Sequence, residues 1–178
     1  MKNAIEARGG ITAIIINSPK YGRKETLIST NKLERAQDYV GSWGVSWSPK
    51  SKTFSILGNL SVGNGKYKRV QLHRWITEAP DGMFVDHINH DTLNNTNDNL
   101  RICTNSENQQ NRKGSDSDNK SSGIRGVTWN KRHGKWYSQL RVNGKQIHLG
   151  CFEKLADARS AAEGARAKYM PFSVEAAG

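Results

Sequence analysis

Val85-Asp86-His87-Ile88-Asn89-His90, followed by Asn99-Leu100-Arg101 and then by Thr104-Asn105-Ser106-Glu107-Asn108, is the stretch on which the reading of this chain turns. Residues 83–87 read as the end of a short strand, and 99–103 as the return strand of a hairpin. Between them, residues 88–98 form a loop rich in Asn, Asp and Thr. Thr104-Asn105-Ser106-Glu107 has the spacing of a capping box, so a helix is expected from there through Arg112. Asn108 falls early in that helix. A hairpin packed on it brings Asp86, His87 and Asn108 side by side.

The residue types suggest a chemistry. Asp86 and Asn108 offer hard oxygen ligands, which suit Mg²⁺ or Mn²⁺ better than Zn²⁺. Two protein ligands leave positions for a phosphate oxygen, a leaving oxygen and water. His87 has the near-neutral basicity needed to take a proton from attacking water. Asn99 is placed to hold the loop and so aim His87. His73, between Leu72 and Arg74, reads equally as a buried structural histidine or a helper at the site. Arg74 and Arg101 read as phosphate contacts or as partners of an Asp. His90 reads as a loop residue.

The rest of the chain suits a polyanionic partner. Its 178 residues carry a formal net charge of +11, with a pI near 9.8. Residues 1–70 hold twelve Lys/Arg against four Asp/Glu, 71–114 hold four against six, and 115–178 hold eleven against six. A slightly acidic centre thus lies between two basic arms, as a cation site flanked by phosphate-binding surfaces requires. No apolar run is long enough to span a bilayer, and no secretory leader is apparent, so a cytoplasmic protein is expected. Cys103 and Cys151 lie far apart, outside any CxxC pair, and are expected to be reduced core thiols rather than zinc ligands.

Outward from the hairpin, residues 1–70 read as a small β-rich region. Strands are expected at 11–17, 25–29, 43–48, 53–57 and 67–72, with a short helix at 32–40 capped by Asn31. Residues 114–123 are small and polar and read as a linker, or alternatively as a long surface loop. Residues 124–169 read as three strands, at 125–129, 136–142 and 146–149, and a helix at 155–169. Asn143-Gly144 signals a type I′ turn between the last two strands. Leu155, Ala158, Ala162, Ala165 and Tyr169 form one stripe of the helix, and Pro171 helps to end it. Trp136, Leu140, Val142, Ile147 and Leu149 are expected to face it. Tyr137, Gln139, Arg141, Gln146 and His148 then point outward. Trp129 and Trp136 read as core. The domain boundaries are therefore drawn at 1–70, 71–113, 114–123, 124–170 and 171–178.

Residues 72–112 resemble the HNH endonucleases, the ββα-metal nucleases, and especially those of phages and mobile introns. The resemblance is carried by Leu72-His73-Arg74, Val85-Asp86-His87-Ile88-Asn89, Asn99-Leu100-Arg101 and Asn108-Gln109-Gln110-Asn111. It implies metal ligation by Asp86 and Asn108, a general base at His87 and a structural Asn99. Many relatives place His at the second ligand; Asn108 is a variant also found in intron-encoded members. Residues 124–169 resemble the AP2 domain through Gly123-Ile124-Arg125-Gly126-Val127, Gly134-Lys135-Trp136, Ser138-Gln139-Leu140-Arg141, His148-Leu149-Gly150-Cys151-Phe152 and Ala156-Asp157-Ala158. That resemblance implies DNA contacts from Arg125, Thr128, Gln139, Arg141, Gln146 and His148. Plant members usually carry Arg at the positions of Thr128 and Gln146, and Trp at that of His148. Lys131, Arg132 and Lys135 lie in or beside a turn and are expected on phosphates.

The whole reads as an α+β protein: an N-terminal β-rich region, a ββα-metal (HNH) nuclease core, and a C-terminal three-stranded antiparallel sheet packed on one helix (AP2-like). The expected activity is that of a homing-type DNA endonuclease of a phage-infected or bacterial cell. It needs Mg²⁺ or Mn²⁺, acts on double-stranded DNA as a monomer or homodimer, and leaves 5′-phosphate and 3′-hydroxyl ends. The alternatives are a non-catalytic DNA-binding regulator using the C-terminal sheet, and a ribonuclease or toxin nuclease; A-form RNA gives a major-groove reader little to read.

Overall fold

The β-branched run that opens the chain pairs on both sides. In the computed structural model, which describes residues 1–112, 114, 119–142 and 144–176, β1 (Ile5–Arg8), β2 (Ile11–Ser18) and β3 (Gly22–Ser29) form an antiparallel sheet. Strands β4 (Gly44–Ser48), β5 (Thr53–Ser61) and β6 (Tyr67–Gln71) form a second antiparallel sheet. Between the two sheets in sequence, residues 30–32 form a 3₁₀ turn that runs into α1 (Leu33–Gln37). The expected cap Asn31 does not cap this helix. Its Oδ1 accepts a bond from Asn97 Nδ2 at 3.1 Å, and the N-cap position is Lys32.

Ile14, Ile16, Ile28, Ala36, Tyr39, Trp43, Ile56, Leu72 and Ile76 make one buried core. Leu72 and Ile76 come from α2 (Leu72–Thr77), a helix the strand reading of 67–72 ran past. Their four-residue spacing puts both on one face. Burying each contributes roughly 1.5–3 kcal/mol, which is what a six-residue helix needs, since one this short is not stable alone. Helix α2 ends at Glu78, whose φ of 52° takes the chain into the left-handed region. Strand β7 (Phe84–His87) then pairs antiparallel with β9 (Leu100–Cys103), with Asp86 opposite Arg101 and His87 opposite Leu100. Within the loop, β8 (Asn94–Asn95) adds a parallel edge to the first sheet, with Leu27 opposite Asn94 and Ile28 opposite Asn95. The hairpin loop is therefore built into the N-terminal sheet.

The chain divides into two compact units, Met1–Asn105 and Ser106–Gly178. Helix α3 (Asn105–Gln110), shorter than the expected helix through Arg112, begins at that boundary. The second unit holds an antiparallel sheet of β10 (Val127–Asn130), β11 (Lys135–Val142) and β12 (Lys145–Phe152), followed by α4 (Leu155–Tyr169). Asn143 of the expected type I′ turn lies outside the described residues, as do residues 115–118 of the expected linker. Asn119, from the same stretch, donates to the carbonyls of Ile124 (2.8 Å) and Val127 (2.7 Å), tying it into the sheet unit.

Ala158 and Ala162 pack on Val127, with Ile124, Trp136, Phe152 and Leu155 around them, while Ala165 packs with Leu140 and Met170. The alanines let α4 lie close to the sheet. Three details differ from the pattern read in sequence. Tyr169 and Trp129 are exposed, and Cys151 is an exposed rather than a core thiol. Arg166 is buried on the sheet side of α4; its Nη2 pairs with Glu175 at 2.6 Å and its Nη1 donates to the Arg125 carbonyl at 2.9 Å. A buried guanidinium is tolerated because its charge and donors are matched. No helix among the described residues is long and apolar enough to cross a membrane.

Candidate active site

Asp86 and His87 are the last two residues of β7, and both are buried. Neighbours on a strand point to opposite faces, so each meets its own surroundings. Asp86 meets its cross-strand partner: Arg101 reaches its Oδ2 through Nε at 3.0 Å and Nη2 at 2.7 Å. Of the two readings open for Arg101, the structure places it on the carboxylate. Arg74 is drawn inward too. It donates to the carbonyls of Met83 (2.5 Å), Ala79 (3.3 Å) and Pro80 (3.3 Å) and fastens the turn between α2 and β7.

The loop after His87 is held by its own amides. Asn99 is buried; its Oδ1 accepts from the Asn89 N–H at 2.9 Å, and its Nδ2 donates to the Asn94 carbonyl at 2.7 Å. Asn89 and Asp91 accept from backbone amides two residues on, at 2.8 and 3.0 Å. The Asn/Asp richness of residues 88–98 thus has a mechanical cause: short side chains supply the hydrogen bonds that a loop backbone lacks. His90 has a φ of 65° and its N–H bonds the His87 carbonyl at 3.0 Å, which makes it a turn residue.

His87 lies 5.1 Å from His73, ring centre to ring centre, edge to face. Burial pushes the His87 imidazole below its ordinary pKa; the Asn95 hydrogen bond and the charges of Asp86 and Asp91 pull the other way. Burial, with the positive charges of His87 and Arg74 behind it, lowers His73 to about 3. His73 is therefore neutral across the physiological range. Because the unfolded chain binds a proton here near pH 6.5 and the folded chain does not, stability is complete above that pH and falls as the pH drops toward 3. Between pH 6.5 and 5 the loss is about 2 kcal/mol, at ~1.4 kcal/mol per unit. Urea unfolding at pH 7.5 and pH 5 checks this: His73→Gln is expected to lose about 2 kcal/mol less than the parent between the two. Equal losses in both proteins would rule it out.

Reasoning from sequence overlooked Asn95 and Thr26. By sequence, Asn95 is one of several loop asparagines and Thr26 a strand residue. Asn95 bonds His87 directly, and Thr26 bonds Asn95 (3.0 and 2.8 Å). The Asn-rich composition hinted at the first; nothing local marks the second, which is 69 residues away.

Among the described residues no group of three or more His, Cys, Asp or Glu is arranged to hold a metal ion. An all-protein cage is thus not built among them. The donor chemistry of one carboxylate with a carboxamide fits a hard cation that keeps open positions for phosphate and water. Asn108 lies on α3, in the second unit, and is partly buried.

Residues 70–110, which hold Asp86, His87, Asn99, Arg101 and Asn108, match the family model of the HNH endonucleases. The chain is 35% identical over 85 residues to protein 3.8 of Escherichia phage T7, covering 45% of this chain and 69% of that protein. Residues 70–110 are an HNH endonuclease domain. An uncharacterized HNH endonuclease of Acanthamoeba polyphaga mimivirus is 43% identical over 68 residues, 35% of each chain. No solved structure matches. The HNH match ends before the three-stranded sheet, so that sheet is described by its own geometry alone.

On that sheet, Tyr137, Gln139 and Arg141 of β11 stand opposite Cys151, His148 and Gln146 of β12. A bulge between Ser138 and Gln139 resets the register midway. Arg141, Gln146 and His148 are exposed; Gln146 Nε2 donates to Gln139 Oε1 at 2.5 Å. Thr128 stands opposite Tyr137 on β10, and Lys131, Arg132 and Lys135 surround the β10–β11 turn. Arg125, just before β10, lines one pocket with Gln139, Arg141 and Gln146. Its guanidinium donates to the carbonyls of Gln110 (2.7 Å) and Gln109 (3.2 Å), at the C-terminal end of α3.

Proposed function

We propose that this chain is a divalent-metal-dependent DNA endonuclease that hydrolyses a phosphodiester to 5′-phosphate and 3′-hydroxyl ends. The observation that carries the reading is the Asp86–His87 pair at the end of β7, inside the HNH match, with the loop behind it locked by Asn99. His87 takes the proton of a water molecule as the water oxygen attacks phosphorus; the bond from phosphorus to the 3′ oxygen breaks, and that oxygen leaves and picks up a proton. Asp86 and Asn108 would hold Mg²⁺ or Mn²⁺, which when bound supplies charge stabilisation to the pentavalent phosphorus and the leaving oxygen. A burial-lowered basicity keeps His87 unprotonated, and so able to accept, at neutral pH.

Site choice is assigned to the C-terminal sheet. Gln139, Arg141, Gln146 and His148 present donors and acceptors on two strands, a shape that enters the major groove, with Thr128 beside them. Lys131, Arg132 and Lys135 take phosphates. Arg125, which donates to carbonyls at the end of α3 and lines a pocket with Gln139, Arg141 and Gln146, stays among the proposed DNA contacts. With one hydrolytic centre per chain, a monomer nicks; a homodimer cuts both strands. The layout is that of a homing-type enzyme, in which one module cuts and another selects the site.

Supercoiled plasmid incubated with the purified protein in Mg²⁺, Mn²⁺ or EDTA tests this. Open circles or linear DNA in metal, and none in EDTA, are expected. DNA binding without cleavage in any metal would overturn it in favour of a non-catalytic regulator that uses the sheet.

A further inference from the structure

Thr26, Asn95 and His87 form a buried, hydrogen-bonded polar chain. Thr26 and Asn95 are essentially inaccessible, in a core where apolar side chains of the same size cost less to bury. Each link has one sense. The Thr26 hydroxyl donates its only hydrogen to the Leu93 carbonyl at 2.8 Å, so toward Asn95 it can only accept. Asn95 therefore turns its Nδ2 to Thr26 Oγ1, at 2.8 Å, and its Oδ1 to His87 Nε2, at 3.0 Å. An Asn95 turned the other way would face its oxygen toward Thr26 and take that hydrogen from Leu93. With Oδ1 as the acceptor, the ring nitrogen that carries the hydrogen is Nε2, and the neutral ring has its lone pair on Nδ1.

The chain is also rigidly seated. Thr26 lies in the middle of β3, and Asn95 sits in β8, which pairs with the next stretch of the same strand. The N-terminal sheet thereby reaches the hairpin that carries Asp86 and His87.

We propose that Thr26 and Asn95 are positioning residues that hold His87 in its Nε2–H form, so that Nδ1 is the nitrogen that takes the proton from the nucleophilic water. This rests on the reading of His87 as the general base, and assigns part of residues 1–70 to the active site.

The direct test is the ¹⁵N signature of the imidazoles in the full-length, metal-free protein at neutral pH. The chain has five histidines, and the signals lost in His87→Ala identify the one that matters. The proposal expects the hydrogen on Nε2 in the parent, and a mixture of the two forms in Thr26→Val and Asn95→Leu. The hydrogen on Nδ1 in the parent would overturn it, whether or not any variant folds. In plasmid cleavage, Thr26→Val and Asn95→Leu are expected to lower kcat ~10–100-fold with KM and DNA affinity unchanged, as loss of an orienting partner does. Thr26→Ser, which keeps the hydroxyl, is expected to retain parental kcat. Folded Thr26→Val and Asn95→Leu proteins with parental kcat would overturn the proposal. If His87→Ala itself still cleaves, the general-base reading fails, and the tautomer result stands apart from it.

Discussion

His87→Ala is expected to lower the rate of metal-dependent plasmid cleavage about 10²–10⁴-fold, the range over which a positioned general base contributes. Binding is expected to survive, because the DNA-reading surface assigned above lies on a different unit. The separation is what makes the result informative. A variant that binds DNA as the parent does, melts as the parent does and no longer cuts has lost a proton acceptor rather than a fold. Gel-shift affinity, thermal melting and nicking rate, measured on one preparation, check the three statements together. Cleavage within twofold of the parent would remove His87 from the mechanism. Its burial means a cavity is left behind, so His87→Gln, which fills the space and lacks a basic nitrogen, is the companion; it is expected to lose activity to the same degree.

Arg101→Gln carries the largest expected cost in stability. The Asp86 carboxylate is buried, and Arg101 meets it with two donors on one oxygen. Removing one member of a buried ion pair strands the other charge, which costs about 3–5 kcal/mol. Chemical denaturation in EDTA is expected to show a loss in that range. Magnesium then becomes the diagnostic. If Asp86 is a ligand, the ion binds the folded form alone and stabilises it in proportion to the logarithm of its concentration over Kd. The variant is therefore expected to recover more in Mg²⁺ than the parent gains. A loss below 1 kcal/mol would show the pair to be energetically idle, and recovery equal to the parent's gain would argue against Asp86 as a ligand.

The sequence was most legible where one local pattern carried the structure. Helix α4 runs over the very residues its alanine spacing predicts, because small apolar side chains at three- and four-residue steps have a single use on a helix facing a sheet. The β2 run and the turn-bounded strands of the second sheet were legible for the same reason. Helix α2 was not, since six residues hold too little periodicity, and its stability comes from burying Leu72 and Ile76 in a core built by others.

Within the candidate site, residue types and their order along residues 85–108 singled out Asp86, His87, Asn99 and Asn108 as candidates, because hard-oxygen ligands and an imidazole base are chemical requirements visible in any conformation. What those side chains are bonded to is a tertiary property. That Arg101 is spent on Asp86, Arg74 on the carbonyls of its own turn, and Arg125 on the end of α3 follows from which backbone and side-chain groups converge on each guanidinium. The same convergence brought Thr26 to Asn95 across 69 residues of chain. Composition and spacing pointed to the chemistry proposed for the molecule. The folded structure alone decided which donors meet which acceptors, because a hydrogen bond is fixed by distance and direction in space, and two residues far apart in sequence have neither until the sheets have paired.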